Sequence, residues 1–134
     1  MNHRGFGLIE ILVVIAIIGI LGGYEMVHLD RARKLARVAA AEKALSSLIP
    51  AAVLCQDAGQ DLRDNTGAAC DDTRVWNEED ILCGGSDSEW PKLPMGVEEG
   101  NCDSDQGTNT FSFSATTDMA IVTCTQDGCT KTDL

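Results

Sequence analysis

Residues 6–24 constrain this chain more than any other stretch, because from Phe6 to Tyr24 they are apolar except for one carboxylate, Glu10. At ~1.5 Å rise per residue, this stretch makes a helix of roughly 28 Å, close to the thickness of a bilayer core. An acidic side chain near the bilayer centre costs roughly 2.5–3.5 kcal/mol, so an intramembrane Glu implies a function and a partner. No basic side chain lies within helical reach of Glu10 in its own span. The partner is therefore expected from outside the segment.

An ordinary secretory signal places its small-residue cleavage site after the apolar core, whereas here Arg4 and Gly5 precede it. Cutting after Gly5 would leave the apolar segment in the mature protein as a working part. The basic residue before the span predicts a leader on the cytoplasmic side and a bulk that faces outward.

The ordered set Arg4-Gly5-Phe6-Gly7-Leu8-Ile9-Glu10, with the Ile-Ala-Ile-Ile-Gly-Ile-Leu that follows, resembles the class III signal of type IV prepilins and pseudopilins. The resemblance covers about the first third of the chain. It implies a leader, residues 1–5, removed by prepilin peptidase at the Gly5–Phe6 bond, and N-methylation of the freed Phe6 amine. It also implies that Glu10 pairs with the Phe6 amine of a neighbouring subunit, each buried charge being tolerated because of the other. The sequence departs from the family pattern at Gly7, where Thr is usual, and at Val27, where many pilins carry Pro. A segment that places Glu10 idly at the membrane interface is the plain alternative.

The apolar span, residues 6–24, continues into residues 25–54 without a loop signal. Leu35, Val38, Ala41, Leu45, Leu48, Ile49 and Ala52 recur at helical spacing, with charged and polar residues between them. One long helix is predicted, its outer half amphipathic. Gly19, Gly22 and Gly23 each cost about 1 kcal/mol against Ala in a helix interior and mark where it can bend; close helix packing is their other reading. Pro50 should kink or end the helix.

Charge divides the chain. Residues 1–54 hold six Lys or Arg and four Asp or Glu, whereas residues 55–134 hold four and seventeen, a net −13. An acidic region of this kind disfavours direct nucleic-acid binding, which needs clustered Lys and Arg. All six cysteines, Cys55, Cys70, Cys83, Cys102, Cys124 and Cys129, fall in this region. An even count in a small exported domain predicts a disulfide framework in an oxidising compartment. Zinc is disfavoured, because there is no C-x-x-C pair and no His beyond His28. Pairing of sequence neighbours, Cys55–Cys70, Cys83–Cys102 and Cys124–Cys129, is the simplest of the fifteen connectivities.

Residues 56–107 are rich in Asp, Gly, Asn and Ser and read as connecting loop, with Trp76 and Trp90 as core or loop anchors. The period then changes. Thr110–Ala115 alternates, Ala120–Cys124 is a second β-rich run, and Asp127-Gly128 marks a tight turn. The predicted fold is α+β: a long N-terminal helix packed against a small antiparallel sheet of two or three strands, with disulfide-held loops. The resemblance implies the same architecture.

Asp103, Asp105 and Asn109 alternate before and after Gly107 as oxygen ligands for calcium would. The distal Glu of an EF-hand is missing, and such clusters are common in plain turns. No cofactor is expected, calcium being the one candidate. No Ser-His-Asp set, phosphate loop or convincing carboxylate pair suggests an enzyme.

The function expected is a structural subunit of a type IV pilus filament. It would begin as a single-pass inner-membrane precursor and end as an extracellular homo-oligomeric helical filament, built by an assembly platform and its ATPase. A pseudopilin of a type II secretion system is the alternative within the family, and a monomeric membrane-anchored disulfide-rich binding domain the alternative outside it.

Overall fold

The computed structural model describes residues 7–134. Helix α1 spans Leu8–Ser46 and helix α2 spans Ile49–Asp57. They precede five strands, β1 (Asp71–Val75), β2 (Val97–Asp105), β3 (Thr110–Thr117), β4 (Ala120–Thr125) and β5 (Gly128–Asp133). The chain divides into two units, Met1–Arg33 and Lys34–Leu134.

The described part of the first unit is the N-terminal part of α1, apolar as far as Tyr24 apart from Glu10 and charged from Glu25 to Arg33. Its helix is continuous through Gly19, Gly22 and Gly23, and a Cβ at any of these three would meet open space. The window that qualifies as a membrane span by length and hydropathy is 0% buried. Leu8, Ile9, Ile18 and Ile20 are 84%, 76%, 62% and 75% exposed. An apolar surface of this extent is stable only against lipid or other protein.

The second unit has one core. The outer half of α1 supplies Val38, Ala41 and Leu45, and Leu48, Ala52 and Cys55 extend the stripe into α2. The packed stripe starts at Val38 rather than at Leu35, which is 52% exposed one turn earlier. Helix α1 ends before Pro50 because proline has no N–H to donate back to Ser46. Ser46 and Ser47 donate their hydroxyls to the carbonyls of Lys43 and Ala44, and Pro50 sits in the first turn of α2, where its missing N–H is harmless.

The sheet is an antiparallel meander in the order β1-β2-β3-β4-β5. Strand β3 turns Phe111, Phe113, Ala115 and Thr117 inward, and β4 turns in Ala120, Val122 and Cys124. The expected two or three strands are therefore five. Most of the 56–107 stretch is irregular, yet β1 and β2 lie within it. Val97-Glu98-Glu99-Gly100-Asn101 lacks apolar alternation, and the register of β2 slips between Glu99 and Cys102. That slip requires Gly100, since a Cβ there would stand 2.7 Å from the Ser114 carbonyl oxygen and closer still to its hydroxyl.

Two of the expected disulfides are corrected. The bridges are Cys55–Cys83 and Cys70–Cys102, and Cys124–Cys129 joins the neighbours. The first two interleave along the chain. Cys70 immediately precedes β1, and Cys102 is the β2 residue that β1 pairs with, so the strand pairing itself brings these two together. Cys124 and Cys129 face each other across the two-residue Gln126–Asp127 turn of the β4–β5 hairpin. Trp76 and Trp90 are buried and stacked at 4.9 Å, with Phe113 edge-on to Trp90. Their indole N–H groups donate to the carbonyls of Ser114 and Arg63.

Candidate functional site

Gly7 precedes α1, and its amide donates to Glu10 Oε2 at 3.3 Å while the Glu10 amide returns a bond to the Gly7 carbonyl. Glu10 is thus the third residue of the helix reaching back to the cap, the acidic half of a capping box. A carboxylate at this end also meets the positive pole of the helix dipole. Glu10 is exposed among exposed apolar side chains. Sequence reasoning assigned Glu10 only an external partner and missed this local one, although Gly7 and Glu10 stand at cap-to-third-residue spacing. The cleavage bond Gly5–Phe6, the Phe6 amine and the leader 1–5 lie outside the described residues.

Further along α1, Tyr24 and His28 bring their rings to 4.8 Å, one helical turn apart. His28 is a stem-surface residue that belongs to no metal-holding group among the described residues. Pro50 lies in the second unit, at the junction of the two helices.

In the second unit the most constrained polar centre is Asp64, 2% exposed. One oxygen accepts from the Thr66 amide and hydroxyl and from the Ala68 amide, and the other accepts from Arg74 Nη1 at 2.6 Å. Arg74 also donates to Asp71 at 2.9 Å. Burial pushes the Asp64 carboxyl up, but the hydrogen bonds from Arg74, from the Thr66 side chain and amide, and from Ala68 outweigh it and hold the group well below the usual carboxylate range. Hydrogen bonds from the Thr73 hydroxyl and Arg74 likewise lower Asp71, and Arg74 is raised by the same two carboxylates, Asp64 first. This clamp holds the loop that carries Cys70. Nothing in the sequence pattern marks it, because Asp64 and Arg74 are ordinary members of an acidic, irregular stretch.

Arg63, Asp64, Gly67, Asp80, Ile81 and Gly84 line a hollow of about 460 Å³. The Asp64 oxygens there are already engaged, and Arg63 donates to the Gly67 carbonyl. The Thr66 hydroxyl, also in this lining, donates to the same Asp64 carboxylate that Arg74 holds.

The calcium candidate resolves into a hairpin. Asp103 and Asp105 lie on β2, and the Asp105 carboxylate accepts from the Gly107 amide and the Thr108 hydroxyl, which together lower its pKa, the Gly107 bond foremost. Asn109 takes a left-handed conformation, φ 54°, that closes the turn into β3. Asp103 is thus a strand residue while Asp105 and Asn109 flank the turn, and among the described residues no group of three His, Cys, Asp or Glu side chains is placed to hold a metal ion.

Residues 1–23 match the family model for the prokaryotic N-terminal methylation motif. This motif is the class III signal peptide of type IV pilins, and it marks a family of structural proteins. The chain therefore carries the signal of the type IV pilin and pseudopilin family at its N terminus. The long helix, five-stranded antiparallel sheet and three disulfides behind it fit the α+β pilin fold. No curated protein and no solved structure matches the chain. The motif is the recognition signal of prepilin peptidase, and with the apolar helix it fits a membrane-anchored precursor.

Proposed function

We propose that the chain is the structural subunit of an extracellular type IV pilus filament. In this reading prepilin peptidase cuts the Gly5–Phe6 bond and methylates the Phe6 amine. The single-pass precursor waits in the inner membrane until an assembly platform and its ATPase draw it into a helical homo-oligomer. The observation that carries the reading is the helix in the first unit: it is apolar and wholly exposed, with Glu10 in its first turn. A carboxylate that caps its own helix in the isolated subunit can exchange the Gly7 amide for the Phe6 amine of a neighbour. That exchange replaces a bond from a neutral amide with an ion pair in an apolar core. The subunit catalyses nothing and needs no cofactor.

The test separates processing from assembly. Glu10→Ala should leave membrane insertion and an N terminus at Phe6 intact while ordered filaments in sheared surface material become scarce. Gly5→Leu should leave a full-length precursor by mass spectrometry. Abundant filaments built solely from the Ala variant would remove the role given to Glu10. A processed chain that stays monomeric, or that assembles only as a short secretion pseudopilus, would replace the pilus by one of the two alternatives.

A further inference from the structure

The outer half of α1 and the segment after Trp90 flank a shallow, open groove with an apolar floor of Ala40, Ala44, Leu93 and Pro94. Its remaining wall includes Lys43 and Lys92, both exposed. Elsewhere in the second unit the cations are engaged. Arg37 pairs with Asp118, Arg74 with Asp64 and Asp71, and Lys131 with Glu42, while Arg63 donates to Gly67. Lys34 also has an interaction. Lys43 and Lys92 are the two cations whose ammonium groups bond no other described residue. Both ammonium groups line one apolar groove, Lys43 from α1 and Lys92 from the acidic 55–134 region.

A complementary knob stands elsewhere on the same unit. Ile81 is 56% exposed, with Glu79 two residues before it and Glu89 opposite it in an isolated β-bridge. Both glutamates are exposed, and neither side chain bonds another described residue. The knob is rigid. Glu79 is left-handed at φ 61°, its amide bonds the Trp90 carbonyl, and Asn77 bonds Asp80 across the turn. The next residue back, Glu78, accepts from the Leu93 amide at 2.7 Å, so the knob and the groove wall share one frame. Ile81 itself lines the separate hollow beside Arg63 and Gly67.

We infer that the Lys43–Lys92 groove receives the Glu79–Ile81–Glu89 knob of a second copy of this chain. Ile81 enters the apolar floor, and the two glutamates meet the two lysines. Because the patches differ, the contact is heterologous: each copy still offers a free groove and a free knob, and the association propagates rather than closing in a pair. Charge complementarity sets the register and excludes the groove-to-groove and knob-to-knob alternatives, where like charges would face each other. The inference rests on the filament reading and names the surface through which neighbouring heads would recognise one another.

The test uses the full chain, expressed together in isotopically light and heavy forms. Assembled material is treated with a carbodiimide, which joins an amine to a carboxylate without a spacer. Mass spectrometry should find mixed-isotope peptides that link Lys43 or Lys92 to Glu79 or Glu89. The charge reversals Lys43→Glu with Lys92→Glu, and separately Glu79→Lys with Glu89→Lys, should each lower filament yield about tenfold or more. Membrane level, the Phe6 N terminus and all three disulfides should be unchanged, and the fourfold variant should regain filaments. Undiminished filaments from the lysine reversals, or cross-links that join the groove to other carboxylates instead, would overturn the inference and leave the filament reading standing. An unaltered chain that forms no filaments would overturn both.

Discussion

Removing the bridges one at a time should destabilise the second unit in an order set by the length of chain each closes. The separations are 32 residues for Cys70–Cys102, 28 for Cys55–Cys83 and 5 for Cys124–Cys129. In the chain-entropy treatment these loops correspond to about 3.7, 3.6 and 2 kcal/mol at 25 °C. The paired substitution Cys70→Ala with Cys102→Ala should therefore cost nearly twice as much as Cys124→Ala with Cys129→Ala. Burial sharpens the difference, since Cys70 and Cys102 are 3% and 1% exposed, whereas Cys129 is only partly buried. The assay is urea unfolding of the full chain in detergent, followed by tryptophan fluorescence, because Trp76 and Trp90 both report the core of this unit. With a slope of about 2 kcal/mol per molar urea, the midpoint should fall by roughly 1.8 M for the long bridge and 1 M for the short one. A loss from the short bridge equal to or greater than that from Cys70–Cys102 would refute the reasoning. It would place the stabilisation in the folded hairpin rather than in the unfolded chain.

The Asp64 clamp makes stability depend on pH: its folded pKa lies below the unfolded value near 3.8, so its contribution is complete above that value and is lost as pH falls below about 4. Urea midpoints should decline there, and Asp64→Asn should lower stability by about 2 kcal/mol at pH 7 while removing that part of the acid sensitivity; an identical acid profile in the variant would count against the clamp. Gly100→Ala should cost about 1–3 kcal/mol, read as a lower melting temperature, because its Cβ must displace the β3 backbone at Ser114; an unchanged melting temperature would mean the bulge relaxes freely. Because Cys55–Cys83 and Cys70–Cys102 interleave, an oxidant that joins cysteines in order of emergence makes Cys55–Cys70 first. Chains exported in cells that lack a dithiol isomerase should accumulate that pair, and thiol–disulfide exchange should convert it to the native set in peptide maps; native pairing in such cells would refute this.

What the sequence determined by itself is what adjacent residues decide. The apolar run and its single carboxylate define an N-terminal helix suited to a membrane. Helical spacing carries that helix on into the second unit, Pro50 ends α1 just ahead of itself, and strict alternation marks β3 and β4. Each of these follows from contacts within a few positions along the chain, where the period of the side chains is the period of the element. The tertiary structure decided the rest, because the causes lie far apart in sequence. Strands β1 and β2 carry no alternating pattern and form because β3 pairs with β2 and β2 in turn with β1. Cysteine pairing follows from which strands meet, not from which cysteines are neighbours, except at the β4–β5 hairpin, where the two coincide. Asp64 became a buried anchor only when Arg74 folded back across ten residues. Lys43 and Lys92, 49 positions apart, share a groove because the segment after Trp90 packs against α1. A sequence read by periodicity sees each of these residues as exposed polar surface. Packing removes some from water, gives others a partner, and leaves two lysines without one among the described residues.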